Sequence, residues 1–503
     1  MTHTHEHGAT SGPFVIDVLI IGAGFSGLAA AAKVARRSRC SYVILEKGDD
    51  VGGTWRENTF PGCACDIPAP LYSFSFAQNP DWNTLFATQP EIYAYLRRTS
   101  RRLGITPNIR MNTTVTSAHW DDIDRRWHIE TAAGERFVAR FLVNAVGVLH
   151  HPAIPPLTGI EDFAGPVFHS AAWNHDVDLT GKKVAVIGTG ASAIQFVPAI
   201  ADTVAELTVV QRTPPWILPK FDRPFSDNER ARMRKSKIAL WERRARLFWV
   251  HEKRAKGFLG DATAIEPIRH MALKHLCQQI VDPQLRAKLT PEYAIGCKRL
   301  LISSDYYPAL AKPHVSVMTE PVVAAQSDAL TLASGRHVNA DVVIYGTGFD
   351  AQNALTHIII RGRNGVALST AWPTGPQAYL GTTVHGFPNM FLMCGPNTGL
   401  GHNSQIFMIE AQANYLAKCI RATGGNGVIE VTEQAQTRYN EKLQNRLAAT
   451  VWQAGGCRSW YQDPNTGRNT LLWPKPVLPF WLRTRRVHRR DYSCNRRPRW
   501  CAD

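Results

Sequence analysis

Two glycine-rich turns contain the residues whose types and spacing point most directly to chemistry. The first reads Gly22-Ala-Gly24-Phe-Ser-Gly27 and the second reads Gly188-Thr-Gly190-Ala-Ser-Ala193. In such a turn the first glycine allows a tight bend, the second lets a pyrophosphate approach the backbone, and the third position lets helix and strand pack closely. The following helix directs free N–H groups and its positive dipole end at the phosphates. The sequence therefore predicts two dinucleotide sites.

The residue that ends the second strand of each unit indicates which nucleotide the unit binds. The strand 41–45 ends at Glu46, about twenty residues after the first turn, where an acid accepts hydrogen bonds from a ribose. The strand 207–210 ends instead at Gln211-Arg212-Thr213. Arg212 can pair bidentately with a 2′-phosphate, which an acid would repel. This favours NADP at the second turn; a surface arginine without that role is the alternative.

Residues 52–66 have the composition to accept a larger planar cofactor at the first turn. Gly52-Gly53 lets the chain pass close to a planar ring, and the Pro61-Gly62 turn directs Asp66 back towards the site. Asp66 could instead cap a local turn. Aromatic residues follow, which suit either packing around an isoalloxazine or a plain core: Tyr72, Phe74, Phe76, Trp82 and Phe86.

The elements that position these residues follow from periodicity. Residues 14–21 are typical of a buried parallel strand, an alanine-rich helix spans 28–36, and 113–143 alternate as short antiparallel strands. Residues 216–298 are helix-rich and basic, which predicts an insertion that could roof a substrate cavity. A helix over 404–421 follows a glycine turn, and its N-terminus could complete the flavin site. The predicted fold class is α/β, with two dinucleotide-binding (Rossmann-like) domains and a helical insertion.

The predicted domains are discontinuous. They comprise 1–150 as the first part of an FAD-binding domain, 151–215 as the first part of an NADP-binding domain, 216–298 as the insertion, 299–380 as the second NADP part, 381–487 as the second FAD part, and 488–503 as a basic tail.

Composition narrows the class of protein further. The 503 residues are 44% hydrophobic and 19% charged, without an apolar run of membrane-spanning length or the features of a signal peptide, which predicts a cytoplasmic globular protein. Ten scattered cysteines predict reduced thiols, and the close pair Cys63 and Cys65 is a weak signal for a metal or redox pair. No metal site is predicted.

The formal charge of +16 is concentrated in two places. The last 21 residues contain eight arginines against two aspartates, and a basic run spans 230–256. A solvated helix face and a loose tail are favoured over attraction to anionic lipid, nucleic acid or an acidic partner. No nucleic-acid motif accompanies the charge, so nucleic acid is not a predicted partner, and weak membrane-surface contact through the tail stays open.

The segment between the two turns carries a recognisable motif. Phe-x-Gly-x-x-x-His-x-x-x-Trp is met at Phe163, Gly165, His169 and Trp173. With Gly52-Gly53-x-Trp55, Asp66 and Gly296-Cys-Lys298-Arg299, it makes residues 14–487 resemble the flavin-dependent Baeyer–Villiger monooxygenases. The family motif usually continues with Pro or Asp, where this chain has Asn174.

The resemblance implies FAD and NADPH as cofactors, and a ketone and O2 as substrates. One oxygen atom would be inserted next to the carbonyl, through a flavin peroxide, to give an ester or lactone. Arg299 would stabilise the peroxide and the developing oxyanion because a guanidinium stays charged, and Asp66 would orient Arg299. Lys298 would hold the 2′-phosphate beside Arg212 and Thr213. The further implied cofactor-binding residues are Thr54, Trp55, Tyr72, Val115 and Ser192. His169 could be a general base, but the resemblance places it in the connection between the domains, which favours a role in orientation or cofactor-dependent domain motion.

Two other enzyme classes share this architecture. Flavin monooxygenases that oxidise sulfur or nitrogen usually end the motif with a different aromatic residue, and they lack the Asp and Arg pair. A flavin disulfide reductase needs two cysteines close to the flavin, commonly spaced more widely than Cys63 and Cys65. A non-catalytic nucleotide sensor would leave Asp66 and Arg299 without a task.

Overall fold

The first part of the chain builds most of a large sheet. The computed structural model describes residues 12–424 and 427–494. Its first elements are β1 (Phe14–Ile21), α1 (Phe25–Arg37), β2 (Tyr42–Leu45), α2 (Thr54–Glu57), α3 (Gln89–Arg102), β3 (Ile109–Arg110), β4 (Val115–Asp121), β5 (Arg126–Thr131) and β6 (Arg136–Asn144). β1 runs parallel to β2 and β6, and β5 runs antiparallel to β4 and β6. The C-terminal half of β1 is fully buried, as expected for a parallel strand covered on both faces.

The second dinucleotide unit follows, and the helical insertion divides it. In chain order the elements are β7 (Val167–His169), β8 (Lys183–Ile187), α4 (Ala193–Ile200), β9 (Glu206–Val210), β10 (Ile217–Leu218), α5 (Asp227–Lys235), α6 (Lys237–Phe258), α7 (Ala262–Gln279), α8 (Pro283–Leu289) and β11 (Leu301–Ile302). The short pair β10 and β11 joins the start of the insertion to its end. The predicted helical character of 216–298 is confirmed.

A five-stranded parallel sheet completes the second unit. The next elements are α9 (Tyr306–Leu310), β12 (Val315–Met318), β13 (Val322–Ala325), β14 (Ala329–Leu332), β15 (His337–Asn339) and β16 (Val342–Tyr345). The sheet order is β12-β9-β8-β16-β7, and β13 to β15 form a separate antiparallel sheet. The α/β class with two dinucleotide-binding units is thus confirmed.

The chain then returns to the first sheet earlier than predicted. The last elements are β17 (Ile359–Arg361), β18 (Met390–Leu392), α10 (Gln405–Ala422), β19 (Ile429–Val431), α11 (Glu433–Leu447), α12 (Val451–Ala454), α13 (Val477–Thr484) and β20 (Tyr492–Cys494). β17 pairs with β4, and β18 pairs with β6. The crossing therefore lies between 345 and 359, and the boundary predicted at 380 is wrong because the pairing of β17 is not visible as local periodicity.

The predicted loose tail is also wrong in its first part. Strand β20 pairs with β19, and the carboxylate of Asp491 is buried. Arg483 lies 2.8 Å from one oxygen of Asp491, and the phenol of Tyr379 donates to the same oxygen at 2.6 Å. Residues 488–494 therefore belong to the folded unit, and residues 495–503 lie outside the described part of the chain.

A disulfide joins Cys297 to Cys457, which corrects the prediction of reduced thiols. The two cysteines are 160 positions apart, so no spacing pattern could have announced their pairing. The bond connects the end of the insertion to the loop after α12. In the described part of the chain, no helix is both long and apolar enough to cross a membrane.

Candidate functional site

One large cavity lies where the two dinucleotide units face each other. Its volume is about 1920 Å³. Every predicted catalytic and cofactor-binding residue except Gly27 lines it: Gly22, Gly24, Glu46, Thr54, Trp55, Asp66, Tyr72, Val115, Gly188, Gly190, Ser192, Arg212, Thr213, Lys298 and Arg299. Ligands of open α/β sheets bind outside the carboxyl ends of the strands. The cavity lining accordingly includes Ile21 and Ile187, the last residues of β1 and β8, and the glycine turns that follow them.

The first glycine turn offers a stretch of bare backbone. Gly22 has φ of +98°, which favours glycine, and a Cβ added to Gly53 would lie 3.2 Å from the Cα of Gly24. The backbone segments at Gly24 and Gly53 therefore pass each other without side chains between them. A Cβ on Gly27 would lie 1.8 Å from the carbonyl oxygen of Gly22, so Gly27 permits packing of α1 rather than lining the cavity. This geometry fits a pyrophosphate at the N-terminus of α1.

Glu46 is held by the turn that it faces. Its Oε2 accepts a hydrogen bond from the amide of Ala23 at 2.7 Å, and its Oε1 accepts one from the amide of Gly48 at 2.9 Å. The residue is 4% exposed, and Arg56 lies 3.3 Å from Oε1. The carboxylate is thereby fixed at the edge of the cavity, where its remaining lone pairs can accept ribose hydroxyls.

The aromatic residues separate into two groups. Trp55 and Tyr72 line the cavity, and the indole of Trp55 donates to the hydroxyl of Tyr72 at 3.2 Å. Burial raises the pKa of Tyr72. Phe74 and Trp82 are instead fully buried core residues away from the cavity wall. A planar ring would therefore contact only the first group, and these residues together fit a flavin dinucleotide.

The second turn places two cations on the same wall. Gly188 has φ of +107°, and a Cβ there would lie 2.5 Å from the carbonyl oxygen of Gly346. Burial, and secondly the charge of Arg212, lower the pKa of Lys298. Lys298 also lies over the ring of Tyr293, 4.9 Å from its centroid. Two neighbouring cations that repel each other fit a dianionic 2′-phosphate between them.

Arg299 and Asp66 form the most distinctive charged contact in the cavity. Nε and Nη2 of Arg299 donate to Oδ2 of Asp66 at 2.9 Å and 2.5 Å, across 233 positions of sequence. The side chains of Arg299 and Asp66 are 29% and 27% exposed, because both face the cavity. The charge of Asp66 raises the pKa of Arg299 further. The guanidinium is therefore oriented and permanently charged.

The motif from Phe163 to Trp173 lies off the cavity. Phe163 packs in the core of the second unit, and a Cβ on Gly165 would lie 2.0 Å from the carbonyl oxygen of Asp341. Trp173 packs against Phe168 and Phe196. Most of the motif thus specifies how β7 attaches to the edge of its sheet.

His169 and Asn174 have local partners. The ring of His169 is 2% exposed, its Nδ1 accepts from the amide of Ala171 at 3.0 Å, and it lies edge-on to Phe349 in the return crossing. Burial lowers the pKa of His169. Asn174 is exposed and accepts from the amide of Asp176 at 3.0 Å. The departure from the family motif at Asn174 therefore falls on a surface turn.

A cluster of histidines, formed by His150 and His151 before β7 and by His357 before β17, is a feature that sequence reasoning missed. His150 lies 2.5 Å from Lys47 and 2.7 Å from Glu57, and the ring centroid of His151 lies 3.5 Å from that of His357. Burial, and secondly the charge of His357, lower the pKa of His151 to about 4. Their contact depends on the pairing of the two crossings, which no local pattern reveals.

The cysteine pair lacks the properties of a redox centre. Burial raises the pKa of Cys63 to about 12 and that of Cys65 well above its usual value. Both remain free thiols. Because the thiolate is the reactive form, this pair is poorly suited to exchange with a disulfide substrate.

Comparison with known proteins gives a consistent result for both units. Residues 20–88 match the family model of an NAD(P)-binding Rossmann-like domain, and residues 183–247 match the model of the pyridine nucleotide-disulphide oxidoreductases. A Baeyer-Villiger monooxygenase from Pseudomonas aeruginosa is 45% identical over 96% of this chain and 92% of its own length. One from Streptomyces coelicolor is 43% identical over 97% of this chain and 93% of its own.

Solved structures agree with the sequence relatives. A cyclohexanone monooxygenase from Rhodococcus sp. Phi1 bound to NADP+ superposes with a TM-score of 0.86, at 28% identity, over 96% of this chain and 99% of that one. A steroid monooxygenase bound to NADP superposes with a TM-score of 0.83, at 31% identity, over 94% and 97% of the two chains.

Proposed function

The chain belongs to the Baeyer–Villiger monooxygenases, and we propose that Arg299, oriented by Asp66, is the charged group at its reaction centre. It is an FAD-containing, NADPH-dependent monooxygenase that inserts one oxygen atom next to a ketone carbonyl. Bound FAD would supply the redox chemistry, with NADPH as the reductant and O2 as the source of the inserted oxygen atom. The protein supplies position, charge and exclusion of water.

The observation that carries this assignment is the double hydrogen bond from Arg299 to one oxygen of Asp66. It leaves the Nη1 edge of the guanidinium for other acceptors and restricts rotation of the side chain. A fixed positive charge in a partly dry cavity stabilises negative charge that develops on oxygen during the reaction, without reorganisation. Asp66 acts as a positioning residue, since its carboxylate is already engaged.

The nucleotide is assigned to the second turn. Gly188 and Gly190 would accept its pyrophosphate on bare backbone, with the N-terminus of α4 behind them. Arg212, Thr213 and Lys298 would bind the 2′-phosphate. The repulsion between the two cations supports this, because an anion between them would remove it.

The ketone is assigned to the part of the cavity beside Arg299. One neighbouring structure is an epsilon-caprolactone-bound cyclohexanone monooxygenase. We therefore take cyclic ketones as the first probes for this chain. Leu400 and Ile409 contribute apolar surface to the same cavity, which suits a hydrocarbon ring.

The test is product formation with and without the charged pair. Purified protein is incubated with NADPH, O2 and a panel of linear, cyclic and aryl ketones, and esters or lactones are detected by mass spectrometry. Arg299→Ala should abolish ester formation while NADPH still bleaches the flavin. Asp66→Asn should lower the ester rate about tenfold to a hundredfold, since it keeps one hydrogen bond but removes the charge.

A matched control removes a similar pair elsewhere. Arg336 lies 2.8 Å from Glu320 on the surface of the second unit, outside the cavity. Arg336→Ala should leave every rate unchanged. Normal ester formation by Arg299→Ala would refute the assignment, and oxidation of sulfides or amines without any ester would favour the other monooxygenase class.

A further inference from the structure

Tyr461 presents an unpartnered hydroxyl to the reaction cavity. The residue is 1% exposed, and it lines the cavity together with Arg299 and Asp66. Within the described residues, its O–H has no acceptor of good geometry, and the guanidinium of Arg299, which lies near enough to influence the pKa of Tyr461, can only donate. Buried hydroxyls are normally paired, so an unpaired one on a cavity wall requires a reason.

The loop that carries Tyr461 is tied down on several sides. The disulfide from Cys457 joins it to Cys297, two positions before Arg299. The amide of Thr470 donates to the carbonyl oxygen of Tyr461 at 3.2 Å. The side chain of Gln352 donates to the carbonyl oxygen of Trp460 at 2.9 Å. The phenol is therefore held in place relative to Arg299 before any ligand binds.

The phenol keeps its proton over the working pH range. Burial raises the pKa of Tyr461 to about 12, although the charge of Arg299 opposes the rise. A neutral phenol is a hydrogen-bond donor. Tyr461 therefore offers a donor beside the guanidinium, and it does so without competing for the charge of Asp66.

Other tyrosines on the cavity wall do not share these properties. The hydroxyl of Tyr72 accepts from Trp55, and that of Tyr293 donates to the carbonyl oxygen of Pro214. Tyr345 is also unpartnered, but it ends β16 in the second unit, and burial is the only influence on its pKa. Tyr461 is the one among these four whose pKa responds to both Arg299 and Asp66.

We propose that Tyr461 is a catalytic hydrogen-bond donor to the carbonyl oxygen of the ketone, acting alongside Arg299. The proposal rests on the function assigned above. The O–H donates to a carbonyl lone pair when the ketone binds. As the carbonyl carbon is attacked, its oxygen gains negative charge and the same hydrogen bond strengthens. The proton stays on Tyr461 throughout, so no group is transferred and the donor is ready for the next cycle.

The principal variant is Tyr461→Phe, which removes the hydroxyl alone. With cyclohexanone, we expect kcat for lactone formation to fall about tenfold to a hundredfold, with a smaller change in KM, because the bond strengthens during reaction. Anaerobic flavin reduction by NADPH should be unchanged. The lactone formed per NADPH consumed should fall as well, since oxygen is still activated but less of it reaches the ketone.

Tyr439→Phe is the matched control. Tyr439 lies on α11, outside the cavity, and its hydroxyl is likewise buried without a partner of good geometry. A structural effect of losing any buried hydroxyl would appear equally in both variants, as a change in melting temperature or FAD content. The proposal requires a kinetic change in the Tyr461 variant alone.

Two further measurements remain informative if Tyr461→Phe folds poorly. Incorporation of 3,5-difluorotyrosine at Tyr461 keeps the ring but makes the phenol more acidic, so lactone formation should decline as pH rises where the unmodified enzyme shows no decline. The infrared stretch of 13C-labelled cyclohexanone bound to oxidised enzyme should move further from the free-ketone frequency when 3,5-difluorotyrosine replaces Tyr461, because a more acidic phenol is a stronger hydrogen-bond donor.

The outcomes separate the two proposals. If Tyr461→Phe forms lactone at the normal rate, or if neither the pH profile nor the carbonyl band moves, Tyr461 is a structural residue and the inference is wrong. If the unmodified enzyme forms no ester from any ketone, the assignment of the reaction centre fails instead.

Discussion

Replacement of Arg212 by glutamine should weaken the binding of NADPH but not that of NADH. Arg212 is exposed on the cavity rim, and its charge lowers the pKa of Lys298. A charge-assisted hydrogen bond to a phosphate contributes about 1.5–3 kcal/mol, and solvent exposure places Arg212 near the lower end. We therefore expect KM for NADPH to rise about tenfold.

The same substitution also changes its neighbour. Without Arg212, only the smaller cause of the lowered pKa of Lys298 is removed, since burial remains. The compensation comes instead from the phosphate, which can shift towards Lys298 and so offset part of the loss. Lys298→Gln alone should therefore resemble Arg212→Gln, and the double variant should lose more than the sum of the two. This non-additivity follows from two cations that share one ligand.

NADH provides the internal control because it lacks the 2′-phosphate. Anaerobic stopped-flow bleaching of the flavin absorbance, measured with each nucleotide, gives the reduction rate and its half-saturation concentration. NADH values should be unchanged in all three variants. An equal loss of affinity for NADH and NADPH would mean that Arg212 contacts another part of the nucleotide. No loss for either would mean that Arg212 is a surface arginine without a role in binding.

Three further predictions concern the frame around the site. Gly27→Ala should abolish FAD retention, measured as flavin absorbance per protein, because its Cβ would lie 1.8 Å from a carbonyl oxygen of the same turn. Cys297→Ser should lower the melting temperature, and a reductant should then have no further effect. The disulfide closes a loop of 160 residues, so the loss of unfolding free energy is at most about 5 kcal/mol. The control Cys277→Ser, at an exposed free thiol, should leave the melting temperature unchanged. Burial lowers the pKa of His402 to about 4 from 6.5. As the pH drops from 6.5 to 4, the unfolded chain therefore protonates this histidine before the folded protein does, and the free energy of unfolding should fall by about 3 kcal/mol at most. Calorimetry should show a shallower fall in His402→Gln.

Those parts of the fold that depend on local backbone geometry could be predicted from the sequence. Gly22 and Gly188 both have positive φ, and each stands where a strand turns into a helix. Such positions favour glycine whatever the tertiary context, so the two turns could be predicted from the sequence. The strand order and the return of the chain at β17 depend on pairing between distant segments, which leaves no local periodicity.

The site itself divides in the same way. Glu46 and Arg212 end strands that follow a glycine turn, so their positions follow from the motif. Asp66 and Arg299 are 233 positions apart, and their pairing was predicted through family resemblance rather than spacing. Tyr461 gave no signal at all, because a tyrosine before a polar loop is typical of many buried positions.

The three residues from Cys297 to Arg299 connect the end of the insertion to both proposed cofactor sites. Cys297 is bonded to the loop of Tyr461, Lys298 is close enough to Arg212 for that charge to lower its pKa after burial, and Arg299 is held by Asp66 of the first unit. A displacement at any one of these contacts must move the other two, since they share one short backbone segment. Binding of the 2′-phosphate should therefore restrict Arg299 as well as Lys298, which couples nucleotide occupancy to the orientation of the charge at the reaction centre.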